Sequence, residues 1–282
     1  MPKTVIDVRN LKKHYGETKA VDDISFQLME GEVLAILGPN GAGKTTTVEM
    51  LEGLRKPDSG AVEYFEEKLP PSSDRVKEEI GVQLQSSSFF ECLSVKETLD
   101  LFRGLYTKGV SSDELIEEVS LDEKKKTYTK NLSGGQLQRL AVAVSLVNDP
   151  KVVFLDEPTT GLDPQARRML WETVLNLKKR QKTIILTTHY MEEAEHLADR
   201  IIIMDHGKII SRGTLDELIA SIETEDIVSF RVKGEEEIPQ EFLQMEGLKH
   251  VENRTYAVTT KDVERTLGRL FEKSKKFEIL LD

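Results

Sequence analysis

Cysteine is almost absent from this chain of 282 residues: Cys92 stands alone, so neither an intrachain disulfide nor a cysteine-based zinc site is open to it. Cys92 is expected to serve as a small apolar side chain rather than as a reactive thiol. Long hydrophobic runs are missing too. The longest, such as Ile201–Met204, are strand-sized, far below the about 18 residues that cross a bilayer. No basic segment followed by an apolar one opens the chain, as a signal peptide would. A cytoplasmic location is expected, unless a partner holds the chain at a membrane. Basic charge is not in excess either. Lys and Arg number 39 against 50 Asp and Glu, a formal net charge of -11, which argues against nonspecific binding to DNA, RNA or anionic lipid. The short run Lys124–Lys126 reads as a solvated face.

What is present suits a packed core under a charged surface, with hydrophobic residues at 38% and charged residues at 32%. The length allows one large domain with an appendage, or two modest domains. Val5, Ile6 and Val8, then Ile24, Phe26 and Leu28, fall in short strand-like segments. Val33–Leu37 is continuously apolar, as a buried parallel strand is, and leads into a glycine-rich loop; Val48, Leu51 and Leu54 behind it share helical spacing. From about 86 to 148 the chain reads as mostly helical. Ser94 and Glu97 form a capping box there, with Val95, Leu99, Phe102 and Tyr106 on one face, and Leu140, Val144 and Val147 repeat the pattern. Strand Val152–Leu155, helix Arg167–Lys179, strand Thr183–Thr187, helix Met191–Ala198 and strand Ile201–Met204 follow, an alternation that implies a mainly parallel sheet. Asp205-His206-Gly207 reads as a hairpin turn before Lys208–Ile210. After Leu218 the pattern changes to a small α+β domain. Its expected parts are strand Ile227–Val232, the acidic turn GEEEIPQ, strand Tyr256–Val258, an amphipathic helix marked by Val263, Leu267, Leu270 and Phe271, and a last strand Phe277–Leu281.

Gly38-Pro39-Asn40-Gly41-Ala42-Gly43-Lys44-Thr45 fits the P-loop pattern, between a strand and a helix as that pattern requires. Its glycines let backbone N–H groups turn onto phosphate oxygens at the positive end of a helix. Lys44 is placed to reach the β- and γ-phosphates, and the Thr45 hydroxyl to ligate Mg²⁺. Such a site needs a carboxylate at the end of an apolar strand to hold the metal, and Val152-Val153-Phe154-Leu155-Asp156 supplies it. Glu157 follows, poised to orient and deprotonate a water. His189 closes the next strand, where an imidazole can sense a γ-phosphate, because ligands gather at the carboxyl ends of parallel strands. A second glycine-rich helix start, NLSGGQLQR from Asn131 to Arg139, is also suited to phosphate, which leaves the chain with two such loops.

In the order GPNGAGKT, Leu84-Gln85, LSGGQ, VVFLDEP, GLDP and TTH, these elements closely resemble the nucleotide-binding subunit of an ATP-binding cassette (ABC) transporter. The resemblance covers about residues 3–220, and LSGGQ is its most specific element. EPTTGLDPQARR and LTTHYMEEAEHLADR are most similar to the drug and polysaccharide (ABC-2 type) exporters, in which ATPase and membrane subunit are usually separate chains. The resemblance implies an α/β fold: a P-loop ATPase core with a mainly parallel sheet, an N-terminal antiparallel β subdomain, a helical subdomain over about 86–148, and a small C-terminal α+β domain over 221–282. It implies that Tyr15 stacks on adenine, that Gly38–Thr46, Thr46 included, hold ATP, and that Gln85 contacts Mg²⁺ and the attacking water. Ser133, Gly134, Gly135 and Gln136 would face the γ-phosphate of a neighbouring subunit, and Asp163 would lie at that interface. Glu157, His189, Gln85 and Lys44 are then the catalytic set, and Thr45, Gln85 and Asp156 the metal ligands. Cys92, in a segment where such proteins meet their membrane partner, departs from the family's acidic or polar residue, and the lysine triplet before LSGGQ is also unusual.

The implied partners are a multispanning membrane permease and a second ATP-binding subunit, with no nucleic acid. An identical partner suffices, since one chain carries every element, though a heterodimer remains open. The contrasting readings are a cytosolic ATPase of the same kind acting on nucleic acid or the ribosome, or one serving cofactor assembly. The first normally brings tandem cassettes or a coiled-coil insertion, and neither is here.

Overall fold

The computed structural model describes residues 3–85, 88–221, 226–233, 238–243, 247–260, 262–277 and 279–280. The chain divides into two compact units, Met1–Leu218 and Ile219–Asp282. The first opens with strands β1 (Thr4–Tyr15), β2 (Thr18–Met29) and β3 (Val33–Leu37), followed by helix α1 (Lys44–Leu51). Strand β4 (Ser59–Tyr64), helix α2 (Asp74–Glu79) and strand β5 (Ile80–Gln83) lead to helices α3 (Val95–Arg103), α4 (Ser112–Glu118) and α5 (Gly134–Ser145). Two single 3₁₀ turns, Asp122–Lys124 and Thr129–Asn131, lie between α4 and α5. Then come β6 (Val152–Asp156), α6 (Pro164–Lys179), β7 (Thr183–Thr188), α7 (Met191–Leu197), β8 (Arg200–Asp205), β9 (Lys208–Gly213) and α8 (Leu215–Ser221).

Among the described residues six strands form the main sheet, in the order β5-β6-β7-β3-β8-β9, parallel except for β9. The antiparallel sheet β2-β1-β4 packs on one face of it. Pleating sorts the core by parity. Val33, Ala35 and Leu37 join Val153, Leu155, Ile184 and Leu186 in a cluster that includes the helical residues Leu99, Leu140, Leu170 and Trp171. Leu34 and Ile36 join Val152, Phe154, Ile185 and Ile202 on the other face, with Ile6, Phe26, Tyr64, Val48 and Leu51. Burial on both faces is why these strands read as unbroken apolar runs.

The capping box at Ser94 and Glu97 is formed: Ser94 N donates to Glu97 Oε2 at 2.8 Å and Glu97 N to Ser94 Oγ at 3.3 Å. Several boundaries differ from expectation. Helix α1 stops at Leu51, and Leu54 is 64% exposed, because the chain leaves the helix through Gly53, whose N–H reaches back to Met50 O at 3.3 Å. Tyr106 lies beyond the end of α3 yet still packs on the core. Cys92 is exposed instead of serving as an apolar filler, since it sits in the turn before the Ser94 cap. Strands β4 and β5 were not legible, as Ser59–Tyr64 contains Gly60 and an acid, and β5 is short.

The second unit holds strands β10 (Asp226–Arg231), β11 (Leu248–Glu252) and β12 (Thr255–Thr260), helix α9 (Gln240–Leu243) and helix α10 (Val263–Lys276). Its sheet runs β10-β12-β11, all antiparallel, with Phe230, Phe242, Tyr256 and Leu270 in its core. Residues 234–237 of the acidic turn lie outside the described residues. The expected strand Phe277–Leu281 is not formed where it is described: Phe277 caps α10, and Ile279 and Leu280 belong to no strand. Ile279 N instead bonds back to Ser274 O at 2.9 Å, which continues the helix end as a turn.

Glu52, just after α1, is only 6% exposed, and its Oε1 has no hydrogen-bond partner among the described residues. Burial first, then the charges of Asp156 and Glu49, push its carboxyl up from 4.5 to about 8. Between those values the folded chain holds a proton that the unfolded chain has lost. The stability contributed by Glu52 is therefore fully present below 4.5 and is lost as pH rises through 8, by at most about 1.4 kcal/mol per pH unit. Glu52→Gln copies the protonated acid. In urea unfolding it should gain on the wild type steadily between about pH 5 and pH 8, then hold a constant lead. A pH-independent difference would show that Glu52 ionises normally.

Candidate nucleotide site

Strand β3 lies between β7 and β8 and ends level with Thr188 and Ile203, so the loop that follows emerges at the carboxyl edge of the sheet. The loop is braced from behind. Ala42 O accepts from Gly207 N at 3.0 Å, and Gly207 O accepts from Asp22 N at 2.8 Å, so the turn Asp205-His206-Gly207 acts as a strut. Gly43 caps α1 at φ 101°, and a Cβ there would stand 2.1 Å from Ala20 O, so no other residue fits. Pro39, Asn40 and Gly41 are exposed, Gly38 and Ala42 are buried, and Thr46 is half-buried.

Lys44, 4% exposed, folds into this loop. Its Nζ donates to Gly38 O at 2.9 Å and Pro39 O at 3.1 Å, and lies 3.1 Å from Glu157 Oε1. Glu157 takes a left-handed backbone, φ 45°, unusual for a residue other than glycine. It is held there because its N–H donates to Thr187 Oγ1 at 2.9 Å. Its Oε2 accepts from Thr160 Oγ1 at 3.0 Å and lies 3.2 Å from His189 Nδ1, a contact outside hydrogen-bond geometry. Burial pushes the Glu157 carboxyl up, but the hydrogen bonds from Lys44 and Thr160 and the charges of Lys44 and His189 outweigh it and hold the group below its ordinary value. Asp156 goes the other way. Burial raises it beyond what the hydrogen bonds from Thr187 and Thr45 offset. Two adjacent carboxylates thus have opposed proton affinities.

Thr45 Oγ1 donates to Asp156 Oδ1 at 3.3 Å, and Thr187 Oγ1 donates to the same oxygen. A hydroxyl and a carboxylate beside a loop of backbone N–H groups fit Mg²⁺, a hard cation that takes oxygen ligands and keeps several from water and phosphate. No cluster of three or more His, Cys, Asp or Glu that could hold a metal occurs among the described residues. Gln85, just past the end of β5, is exposed.

Other expected residues lie apart from this group. Ser133 caps α5: its Oγ accepts from Gln136 N at 3.3 Å, and Gln136 Oε1 accepts from Ser133 N at 2.9 Å. No hydrogen bond or ion pair among the described residues joins Ser133–Gln136 to Gly38–Thr46, Asp156 or Glu157. A Cβ on Gly135 would stand 2.7 Å from Ala166 Cβ on α6, whereas one on Gly134 meets nothing within 4 Å. The same end of α6 is capped by exposed Asp163, whose Oδ1 accepts from Gln165 N and Ala166 N at 2.9 and 3.0 Å. Tyr15 is 44% exposed at the end of β1, with the Arg55 guanidinium 5.4 Å and the Lys13 ammonium 5.6 Å from its ring centre.

Three residues of the site escaped the sequence reading. Thr187 holds both Asp156 and the Glu157 backbone, Thr160 holds the Glu157 side chain, and Glu193 is a fully buried acid that accepts from Trp171 Nε1 at 3.3 Å. Only register could have pointed to Thr187, which pairs with Asp156 across β6 and β7.

A parallel sheet that gathers a glycine loop, a lysine, a hydroxyl, two acids and a histidine at one edge defines a P-loop nucleotidase. A family model described as ABC transporter matches residues 21–160. The Nod factor export ATP-binding protein I of Burkholderia lata is 42% identical over 226 residues, 78% of this chain and 74% of that protein. The daunorubicin resistance ATP-binding protein DrrA3 of Streptomyces coeruleorubidus is 41% identical over 224 residues, 77% of this chain and 73% of that protein. Among solved structures, cbiO1 of Clostridium perfringens, part of the ABC transporter complex cbiONQ, superposes with a TM-score of 0.69 at 30% identity, over 78% of this chain and 92% of that one. A dimeric ATP-binding cassette bound to ADP and Pi does so with a TM-score of 0.66 at 26% identity, over 74% and 98%. The chain belongs to the ABC transporter family, as one of its ATP-binding, ATP-hydrolysing subunits.

The two glycines of the α5 cap should differ sharply. Gly135→Ala, which drives a methyl into Ala166, should cost about 1–3 kcal/mol in denaturant unfolding. Gly134→Ala should cost less than about 0.5 kcal/mol, because its added methyl meets open space.

Proposed function

We propose that this chain is the motor subunit of an exporter, working as a head-to-tail pair on the cytoplasmic face of a membrane and driving a separate multispanning permease. One observation carries the reading. The chain holds two helix starts suited to phosphate, yet only Gly38–Thr46 shares its place with the lysine, the acids and the histidine, while Ser133–Gln136 stands capped and apart. The second loop has work to do only on a nucleotide held by another copy. The export names of the relatives support the transport role, and no helix among the described residues is long and apolar enough to cross a membrane, so a path for substrate must come from a partner. An identical partner serves, because this chain carries every element of both half-sites. In this reading residues 1–220 are the ATP-binding domain and 221–282 an accessory domain.

Each residue then has a task. The exposed ring of Tyr15 stacks on adenine. The backbone N–H groups of Gly38–Thr46 wrap the phosphates at the N-terminus of α1. Bound Mg²⁺, held by Thr45, Asp156 and Gln85, would neutralise phosphate charge. On ATP binding Lys44 exchanges Glu157 Oε1 for phosphate oxygens. Loss of that cation raises the proton affinity of Glu157, which turns a paired carboxylate into a base able to orient and deprotonate water. His189, already beside Glu157 Oε2, hydrogen-bonds the γ-phosphate. From the partner, Ser133 and the N–H groups of Gly134 and Gly135 close over the same phosphate, with Gln136 keeping the cap formed and Asp163 at the contact. Closing and opening of the pair around hydrolysis drives the permease.

Glu157→Gln should bind ATP and pair but release phosphate at least about a hundredfold more slowly. Ser133→Arg should bind ATP as a monomer yet neither pair nor hydrolyse. Mixing these two inactive variants decides whether the loops act between copies. A mixed pair contains one intact site, and fusing the two variants through a flexible linker offsets the weakened pairing, so phosphate release should return to about half of the wild-type rate. A mixture that stays inactive, while both variants bind ATP, would refute the reading.

A further inference from the structure

Glu193, in the first turn of α7, is an acid with no exposed surface, and the mechanism above gives it no task. If it only filled space, a hydrocarbon would serve better, because burying a carboxyl is costly unless several donors meet it. Groups from three separate segments do converge on it. Trp171 Nε1, on α6, donates to its Oε1 at 3.3 Å. Burial raises its proton affinity by more than the nearby hydroxyls lower it, those of Thr188 at the end of β7 and Thr159 in the loop after β6. Trp171 and the charge of Arg167 also lower it. Glu193 Oε2 and Thr159 Oγ1 are both buried without a partner in hydrogen-bond geometry among the described residues, which leaves each available to the other.

Each of these segments carries part of the nucleotide site. Thr188 O accepts from Gly38 N at 3.2 Å, Thr188 Oγ1 accepts from Tyr190 N at 3.0 Å, and His189 stands between Thr188 and Tyr190. Thr159 precedes Thr160, whose hydroxyl holds Glu157, and Thr159 O accepts from Leu162 N at 3.2 Å, just before Asp163. On α6, Arg167 N donates to Asp163 O at 3.0 Å, and the Arg167 guanidinium lies 4.6 Å from the centre of the Tyr190 ring.

We propose that Glu193 is a positioning residue for hydrolysis, which fixes the strand end bearing His189 against the loop bearing Thr160 and Asp163. An ionised carboxylate offers about four acceptor sites, so one side chain can hold hydroxyl and indole donors from three segments at once. An apolar side chain of similar volume would fill the space but let those segments shift independently. A displacement of about 1 Å between the base and the imidazole would slow the chemical step by about a hundredfold. Nucleotide binding would be spared, since Gly207 braces the loop that wraps the phosphates through backbone bonds that do not involve Glu193. The inference rests on the roles proposed for Glu157 and His189.

Glu193→Met occupies similar space without acceptors. In steady-state ATPase assays of the full chain it should lower kcat by about ten- to a hundredfold and keep the KM for ATP within about twofold of wild type. Glu193→Gln keeps an acceptor for Trp171 and can pair its amide with the two hydroxyls, so kcat should recover to within about threefold of wild type. Thr159→Val removes one hydroxyl and leaves Glu193 in place. It should lower kcat in the same way, and combined with Glu193→Met it should lose no more than Glu193→Met alone. A wild-type kcat in Glu193→Met, a KM that rises in step with the fall in kcat, or losses that multiply in the double variant overturn the inference. Where Glu193→Met does not fold, Thr159→Val decides alone, and an unchanged kcat there overturns it. His189→Ala separates this inference from the reading beneath it. Full kcat in His189→Ala overturns that reading and the inference with it, whereas a slow His189→Ala beside an unimpaired Glu193→Met overturns the positioning role alone.

Discussion

A lysine ammonium taken almost wholly out of water must be met by oxygen on every side, and the first unit is organised around meeting that need for Lys44. Two loop carbonyls and the Glu157 carboxylate surround its Nζ within 3.1 Å. Removing one member of such a buried pair leaves the other charge stranded, at about 3–5 kcal/mol. The arrangement therefore demands that the P-loop and the end of β6 stay in fixed register. β7 provides it, lying between β3 and β6 and lending Thr187 to both acids. The ion pair is also a store. In the proposed mechanism a polyanion arriving at the loop takes over Lys44 and frees the carboxylate, which would make nucleotide binding and activation of the base one event.

The sheet keeps that register because it is buried on both faces. Alternate residues of β3, β6 and β7 face the helices on one side and the antiparallel sheet with α1 on the other. A one-residue slip in any of these strands would exchange the two sets of side chains and displace the acid at its end. The packing that stabilises the core thus also sets the positions of Asp156, Glu157 and His189. Glu52 is the cost of this economy: the helix that carries Lys44 and Thr45 delivers an unpaired acid to the interior.

The second phosphate-grade loop obeys a different constraint. Gly135 allows α5 to lie against the first turn of α6, which joins the Ser133 cap and the Asp163 cap into one surface. Both caps are satisfied locally, so neither needs a ligand for its own stability, and the open space above Gly134 leaves the helix start accessible. In the proposed pair, this locally complete surface serves the nucleotide held by another copy rather than its own loop.

Local chemistry decided much from the sequence alone. The P-loop, the acidic strand end, the caps at Ser94 and Ser133 and the hairpin turn at Gly207 are written in neighbouring residues, because glycine conformation, capping hydrogen bonds and burial act over a few positions. The unbroken apolar runs likewise announced a parallel sheet covered on both sides. Tertiary structure alone decided that Gly207 braces Ala42, that Thr187 unites Asp156 with Glu157, that Lys44 rests on Glu157, and that Glu52 is left unmet. It also decided that Leu54 and Cys92 face solvent and that Phe277 closes a helix rather than opening a strand. The links of Gly207 to Ala42, of Thr187 to the two acids and of Lys44 to Glu157 depend on strand order and on contacts between separate segments, some more than a hundred residues apart, and no local pattern of residue types encodes them.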